Sequence, residues 1–406
     1  VEDGEYLTRL PKNYYSTRTY TDKIIDYIDS TPEGAPFFAY LAYQAPHDPI
    51  QAPEGWLRRY KGAYDAGWDA IRDARIARMK EMGVMPASTN MAPRLWYIPE
   101  WDKLTGVAQV QQARRMEIYA SVVEYLDLQV GRLIDHLEET GELDNTVIIF
   151  FSDNGPNPHD PIEDAKRGAG KVNAANFYPN NYETDFASWG RPNAWLSQGT
   201  AWAQVSATPL NGFKLTSFDG GVRSPLIVWR GGDNTGGAVD TADIMHVSDV
   251  APTMLDLAGI PQASLYPAQA AALQTGRSWV PLLSETNALS ARGVGMEIFG
   301  GRAYREGRWK VTWMHEPFGA DDWQLFDIET DPSESKDVSA AHPNIKARLV
   351  AAWNAYAKAN NVIVPDRTEF DGLEDKLPPR PDIDAPDWPR GGEPNWTQST
   401  RKTDNE

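Results

Sequence analysis

The five apolar residues Val147-Ile148-Ile149-Phe150-Phe151 run directly into Ser152-Asp153-Asn154-Gly155. A short stretch of β-branched and aromatic residues specifies a buried strand. Asp153 and Asn154 then set a carboxylate and a carboxamide at the strand's C-terminal tip. In open α/β sheets ligands gather at that tip, so this junction constrains both the fold and the place of a site. Two hard oxygen donors there suit a divalent cation, although Asp-Asn-Gly is also a common turn sequence.

The flanking sequence fits an α/β alternation. Tyr119, Val122, Leu126, Val130, Leu133 and Leu137 recur every three or four residues, which predicts a helix from Arg114 to Glu139 closed by Gly141. An Asp144-Asn145 turn leads on to the strand. Earlier, Thr21 to Ser30 reads as a short amphipathic helix, and Phe37 to Tyr43 as a buried strand ending in Gln44-Ala45-Pro46-His47-Asp48-Pro49. The prolines stop regular structure and leave His47 on a loop at the strand's exit. Strand, helix and strand in this order predict a parallel sheet.

Residues 54 to 113 read as an excursion of short helical pieces over the surface. From Pro156 to Thr208 the sequence is rich in Asn, Pro, Trp, Tyr and Gly and lacks periodicity, which is the pattern of a binding or lid segment. Trp189, Trp195 and Trp202 within it are candidates to line a substrate entrance, with anchoring of the loop as the alternative. Leu226 to Trp229 predicts another strand, and Val247 to Ala258 a helix ended by Gly259. Beyond about residue 290 short alternating strands take over, with a hairpin at Glu306-Gly307, the strand Trp323 to Asp327, and a helix from Pro343 to Asn360. The expected division is an α/β domain over 1–290, a smaller α+β subdomain over 291–364, and an extended tail over 365–406.

Composition narrows the chemistry. The formal charge of −18, from 57 acidic and 39 basic residues, opposes general attraction to nucleic acid or anionic membrane, and no apolar run is long enough to insert in a bilayer. An anionic substrate must therefore be met by locally concentrated positive charge. The chain has no cysteine, which removes disulfides, thiolate metal sites and a cysteine nucleophile. Its 6 histidines include no closely spaced pair, which argues against a zinc cage. The compartment, periplasm or cytoplasm, is left undetermined.

Four features stand in order: Ala45-Pro46-His47, Ser152-Asp153-Asn154-Gly155, Lys214 five residues before Asp219-Gly220-Gly221, and Arg223-Ser224-Pro225. Together with Phe37 to Pro53, Gly141 to Thr146, and Trp323 to Asp327 with Asp331-Pro332, they resemble the type I sulfatases of the alkaline-phosphatase superfamily, and bacterial arylsulfatases above all. The resemblance runs from near Leu10 to about Val364. It implies an alkaline-phosphatase-like α/β sandwich, with a largely parallel central sheet flanked by helices and a C-terminal α+β subdomain of a short antiparallel sheet and one helix. It also implies a calcium-dependent sulfuric ester hydrolase acting on a small-molecule sulfate ester. Asp153 and Asn154 match two of that family's calcium ligands, with magnesium as the alternative ion. Lys214 matches the lysine on the sulfate oxygens. His47 matches the histidine that donates to the sulfate or protonates the leaving oxygen, work that suits an imidazole. Asn154, where related zinc enzymes carry histidine, argues against a two-zinc phosphatase.

One block of the family pattern is missing. Such sulfatases use a formylglycine made from Cys or Ser in Cys/Ser-x-Pro-x-Arg. The nearest approach here, Ser30-Thr31-Pro32-Glu33-Gly34, lacks the arginine and reads as a turn. The family's N-terminal aspartate pair and its Lys-x-His element are also absent. Truncation at the start is the expected explanation, with the formylglycine supplied by the missing segment; a non-catalytic module that retains the fold is another. A phosphonate or phosphate monoester hydrolase of the same superfamily is the alternative activity. The chain as written is expected to be inactive and to bind calcium poorly, because two ligands cannot satisfy an ion that takes six to eight oxygens.

Overall fold

The computed structural model describes residues 2–10, 12–162, 174–231, 239–240, 243–261, 276–283, 289 and 292–365. The expected tail, apart from its first residue, lies outside the described residues.

A long helix organises the first part of the molecule. This helix, α3 (Gly106–Glu139), has 34 residues and begins eight residues before the expected Arg114. Thr105 caps it, its side-chain oxygen accepting from the Ala108 amide at 3.3 Å. Sequence periodicity misses the early turns because what they bury is small or polar: Ala108, Gln112 and Ala113. Helix α1 (Ser16–Asp29) lies against α3, tied by Arg132 to Asp22 and by His136 to Asp29, both at 2.8 Å. Gly141, at φ +76°, ends α3 in the expected left-handed cap.

The segment expected to wander over the surface is instead core. Helix α2 (Gly67–Glu81) brings Trp68 against Trp101 and Trp202, the three rings meeting edge to face at centroid distances of 4.9 to 6.1 Å. Tyr97, Ile98, Met116 and Val205 complete this cluster. Gly67 is at φ +81°, and a Cβ there would lie 2.1 Å from the Trp101 ring, so only glycine lets the helix start so close to the indole. Trp202 belongs to α5 (Gly199–Ala207), which follows α4 (Ala174–Asn181) in the stretch that carries no sequence periodicity.

Strand β1 (Val147–Phe151) forms where expected, and β2 (Leu226–Arg230) pairs with it. Two features of the sheet differ from expectation. The β1–β2 pair is antiparallel, so no parallel ladder is formed among the described residues. Phe37 to Tyr43 forms no regular element and joins no ladder, and Phe38 and Tyr40 are 73 and 76% exposed. An apolar run names a strand but not its partner, since pairing depends on a neighbour remote in sequence. In the register Ile148 faces Trp229 and Phe150 faces Ile227, and of these Phe150, Ile227 and Trp229 are solvent-exposed.

The C-terminal part matches its expected α+β form. Strands β3 (Gly293–Ile298), β4 (Gly301–Glu306), β5 (Trp309–Trp313) and β6 (Trp323–Asp327) make a four-stranded antiparallel meander. Gly307, at φ +56°, turns the β4–β5 hairpin. After helices α6 (Asp219–Val222) and α7 (Val250–Leu257), helix α8 (Pro343–Ala359) crosses the sheet and buries Leu349 against Val311 and Leu325. A second cluster on the sheet, built from Met314, Phe326 and Ile328, takes in Leu215 and Phe218 from the segment that carries Lys214.

Candidate active site

Three loops converge. The first carries His47. Its backbone is fixed by the His47 amide to the Gln44 carbonyl at 2.9 Å, and by the Ile50 amide to the Leu196 carbonyl at 2.8 Å. The imidazole Nδ1 sits 2.7 Å from the Asp48 carbonyl and 3.3 Å from the Asp48 carboxylate. A carbonyl can only accept, so Nδ1 carries the proton and donates. Nε2 then presents its lone pair to Lys214, whose Nζ is 3.3 Å away and donates to it. His47 is half exposed, and Lys214 is partly exposed.

Asp48 and Asn157 complete the loop's support, and neither stands out in the sequence. The Asp48 side chain is 8% exposed and accepts from Asn157 Nδ2 at 2.7 Å. Asn157 is held in turn by Gln198 Nε2, which donates to its carbonyl at 3.3 Å. Burial raises the Tyr178 hydroxyl above its ordinary value, and the Asp48 charge raises it further. An acidic residue directly after a loop histidine was the available signal for Asp48; Asn157 had none, because its partner is 109 residues away.

The second loop follows β1. Ser152 Oγ donates to the Asn154 carbonyl at 3.0 Å, and Ser224, from the Arg223-Ser224-Pro225 motif, donates its hydroxyl to the Ser152 carbonyl. Asp153 is exposed and Asn154 partly so. The third loop, Asn211 to Gly221, is stitched to the second. The Lys214 amide donates to the Pro156 carbonyl at 3.0 Å, and the Gly155 amide to the Gly221 carbonyl at 2.9 Å. A Cβ on Gly155 would lie 1.9 Å from the Gly220 carbonyl oxygen, so the approach demands glycine.

His47 and Lys214 are thus brought into contact, while Asp153 and Asn154 join them through the backbone. A carboxylate and a carboxamide together suit a hard cation. They do not complete its shell, since no group of three or more His, Cys, Asp or Glu side chains able to hold a metal occurs among the described residues. In a chain of formal charge −18, the ammonium with an adjacent imidazole is a local positive spot able to capture an anion. No helix among the described residues is long and apolar enough to cross a membrane.

Of the two readings for Trp189, Trp195 and Trp202, their burial and hydrogen bonds fit anchoring. Trp202 is fully buried and donates to the Gln112 carbonyl at 2.8 Å, Trp189 donates to the Thr184 carbonyl at 3.2 Å, and Trp195 is 8% exposed. A large ring beside few polar partners gains most from burial. Ser30 to Gly34 is the expected turn, the Ala35 amide reaching the Pro32 carbonyl at 2.9 Å.

Comparison with known proteins gives a consistent result. The family model described as Sulfatase matches residues 2–260. An uncharacterized sulfatase of Schizosaccharomyces pombe is 32% identical over 365 residues, which cover 87% of this chain and 64% of the relative. An arylsulfatase of Klebsiella aerogenes is 37% identical over 267 residues, covering 65% of this chain and 55% of its own length. Among solved structures, Ps i-CgsB in complex with k-i-k-neocarrahexaose aligns with a TM-score of 0.54 at 21% identity, over 91% of this chain and 60% of that one, which is a likeness of fold. The chain spans 64 and 55% of the length of these two relatives.

Proposed function

The chain belongs to the sulfatase family, and on that premise we propose that His47 and Lys214 form the sulfate-recognising part of an arylsulfatase-like sulfuric ester hydrolase. The observation that carries this reading is the 3.3 Å approach of Lys214 Nζ to His47 Nε2 at the meeting of three loops. In it, Lys214 neutralises charge on the ester oxygens, as a fixed ammonium does for charge developing in a transition state. His47 keeps Nδ1–H on the Asp48 carbonyl, so Nε2 is the atom that carries a proton to or from the leaving oxygen.

Asp153 and Asn154 would furnish two oxygen donors to a calcium ion, and the bound ion would supply further positive charge at the ester. The nucleophile in this reading is formylglycine, and the 406 residues contain neither cysteine nor a Ser-x-Pro-x-Arg motif from which to make it. Turnover by these residues alone is therefore not expected. The arylsulfatase of Klebsiella aerogenes supports the aryl ester as the substrate class.

Calorimetric titration with inorganic sulfate tests the reading. We expect saturable binding by the 406-residue chain that falls at least roughly tenfold in His47→Ala and in Lys214→Ala. Binding that survives both substitutions, or its absence from the unmodified chain, overturns the assignment. Assays on an aryl sulfate and an aryl phosphate are expected to show no turnover by these residues, and robust turnover of either ester contradicts the missing nucleophile.

A further inference from the structure

A charged cluster lies wholly inside the protein, between the C-terminal sheet and the loop that carries Lys214. Lys310, on β5, has no exposed surface, and Glu334 and Asp219 are 3 and 2% exposed. Lys310 Nζ donates to Asp219 Oδ1 at 2.6 Å and to Glu334 Oε1 at 2.8 Å. The Asp219 amide donates to Glu334 Oε2, and Thr312 donates its hydroxyl to Glu334 Oε1 at 3.3 Å. Arg223 stands 3.8 Å from the other Asp219 oxygen. Removing this many charges from water is expensive, and an ion cluster rarely stabilises a fold better than apolar residues of the same volume would.

Both ends of the Lys214 segment meet at Glu334. Asn211 Nδ2 reaches the Glu334 carbonyl at 3.5 Å, and Asp219, at the far end, gives its amide to the Glu334 carboxylate. Between them the Gly220 amide closes on the Asn211 carbonyl at 2.7 Å, so residues 211 to 220 form a loop with its ends tied together. From that loop Lys214 reaches His47, and Gly221 just beyond it accepts from Gly155 in the β1 loop.

We propose that Lys310 and Glu334 are positioning residues for the site. Held in the C-terminal sheet, they clamp the 211–221 loop so that Lys214 meets His47 and the β1 loop docks on Gly221. The proposal rests on reading His47 and Lys214 as the sulfate site, and it makes the C-terminal subdomain part of that site's construction.

The test uses the 406-residue chain labelled with 15N-histidine, the His47 ring signals being assigned by their loss in His47→Ala. Lys310→Met removes the cluster's cation. Glu334→Gln removes the titratable carboxyl with little change of shape, and it keeps the test alive where Lys310→Met does not fold. Leu349→Ala is a control that opens the C-terminal core without touching the cluster. We expect both cluster variants to shift the His47 Nε2 signal and weaken inorganic sulfate roughly tenfold, while Leu349→Ala lowers stability and leaves both unchanged. The proposal is overturned if both cluster variants leave the ring signal unmoved, or if Leu349→Ala moves it equally. A chain that binds no sulfate would sink the functional reading, and the ring signal would still decide this one.

Discussion

Lys214 Nζ lies 3.3 Å from His47 Nε2 across 167 residues of sequence. A free ammonium would choose water or a carboxylate, and the formal charge of −18 leaves carboxylates in excess. The pairing reflects backbone constraint: Lys214 is fixed by its amide to Pro156, and His47 by its ring to Asp48. An ammonium so held meets an anion with little reorganisation.

Asn157 should govern how firmly His47 is held. Asn157→Ala leaves the buried Asp48 carboxylate without its 2.7 Å donor, at a cost of about 1–3 kcal/mol in stability. Denaturant unfolding measures that loss, and a parallel sulfate titration should show weaker binding. Unchanged affinity would mean that Asp48 does not orient the ring.

Glu334 gives stability a definite pH dependence. Burial raises its carboxyl to about 7, against the opposing pull of Lys310. The unfolded value is near 4.3, so the folded state holds the extra proton between those values. Its contribution is full below about pH 4.3 and is lost as pH rises to and through about 7, on the order of 3 kcal/mol. Measured against Glu334→Gln, the unmodified chain should lose stability from about pH 5 to about pH 8 and level off above that. Equal slopes in the two proteins would refute it.

Gly155→Ala should disrupt the meeting of the β1 loop with Gly220 and Gly221. The new methyl would stand 1.9 Å from a backbone carbonyl, which must move. We expect a loss of roughly 1–3 kcal/mol together with weaker sulfate binding. An alanine variant as stable as the parent would show that the loops part easily.

The exposed face of the β1–β2 pair should associate. Phe150, Ile227 and Trp229 are 39, 60 and 38% exposed on one side of a two-stranded ladder. Contiguous apolar surface of this kind drives self-association, which the chain's net charge opposes at low salt. Light scattering should register larger species as salt screens that charge, and Ile227→Asp should suppress them. A monomer at every salt concentration would contradict this.

Much of the molecule was legible in local sequence. Apolar periodicity gave the body of α3, Gly141 its end, and Glu306-Gly307 the β4–β5 hairpin. Val147 to Phe151 gave β1, and Ser152 to Gly155, with His47 and Lys214, pointed to the sulfatase family that the comparisons support. These are properties of neighbouring residues: side-chain period, turn chemistry and motif spacing.

Tertiary structure alone decided the partners. Phe37 to Tyr43 has the composition of a buried strand yet joins no ladder, and β1 pairs antiparallel with β2, some 80 residues on. Trp68, Trp101 and Trp202 look scattered in sequence and meet in one core. Lys310 and Glu334 carry no motif, yet they close the loop that presents Lys214. Sequence determines what each residue can do within a few bonds; pairing, burial and hydrogen bonding depend on groups that only the folded chain brings within about 3 Å.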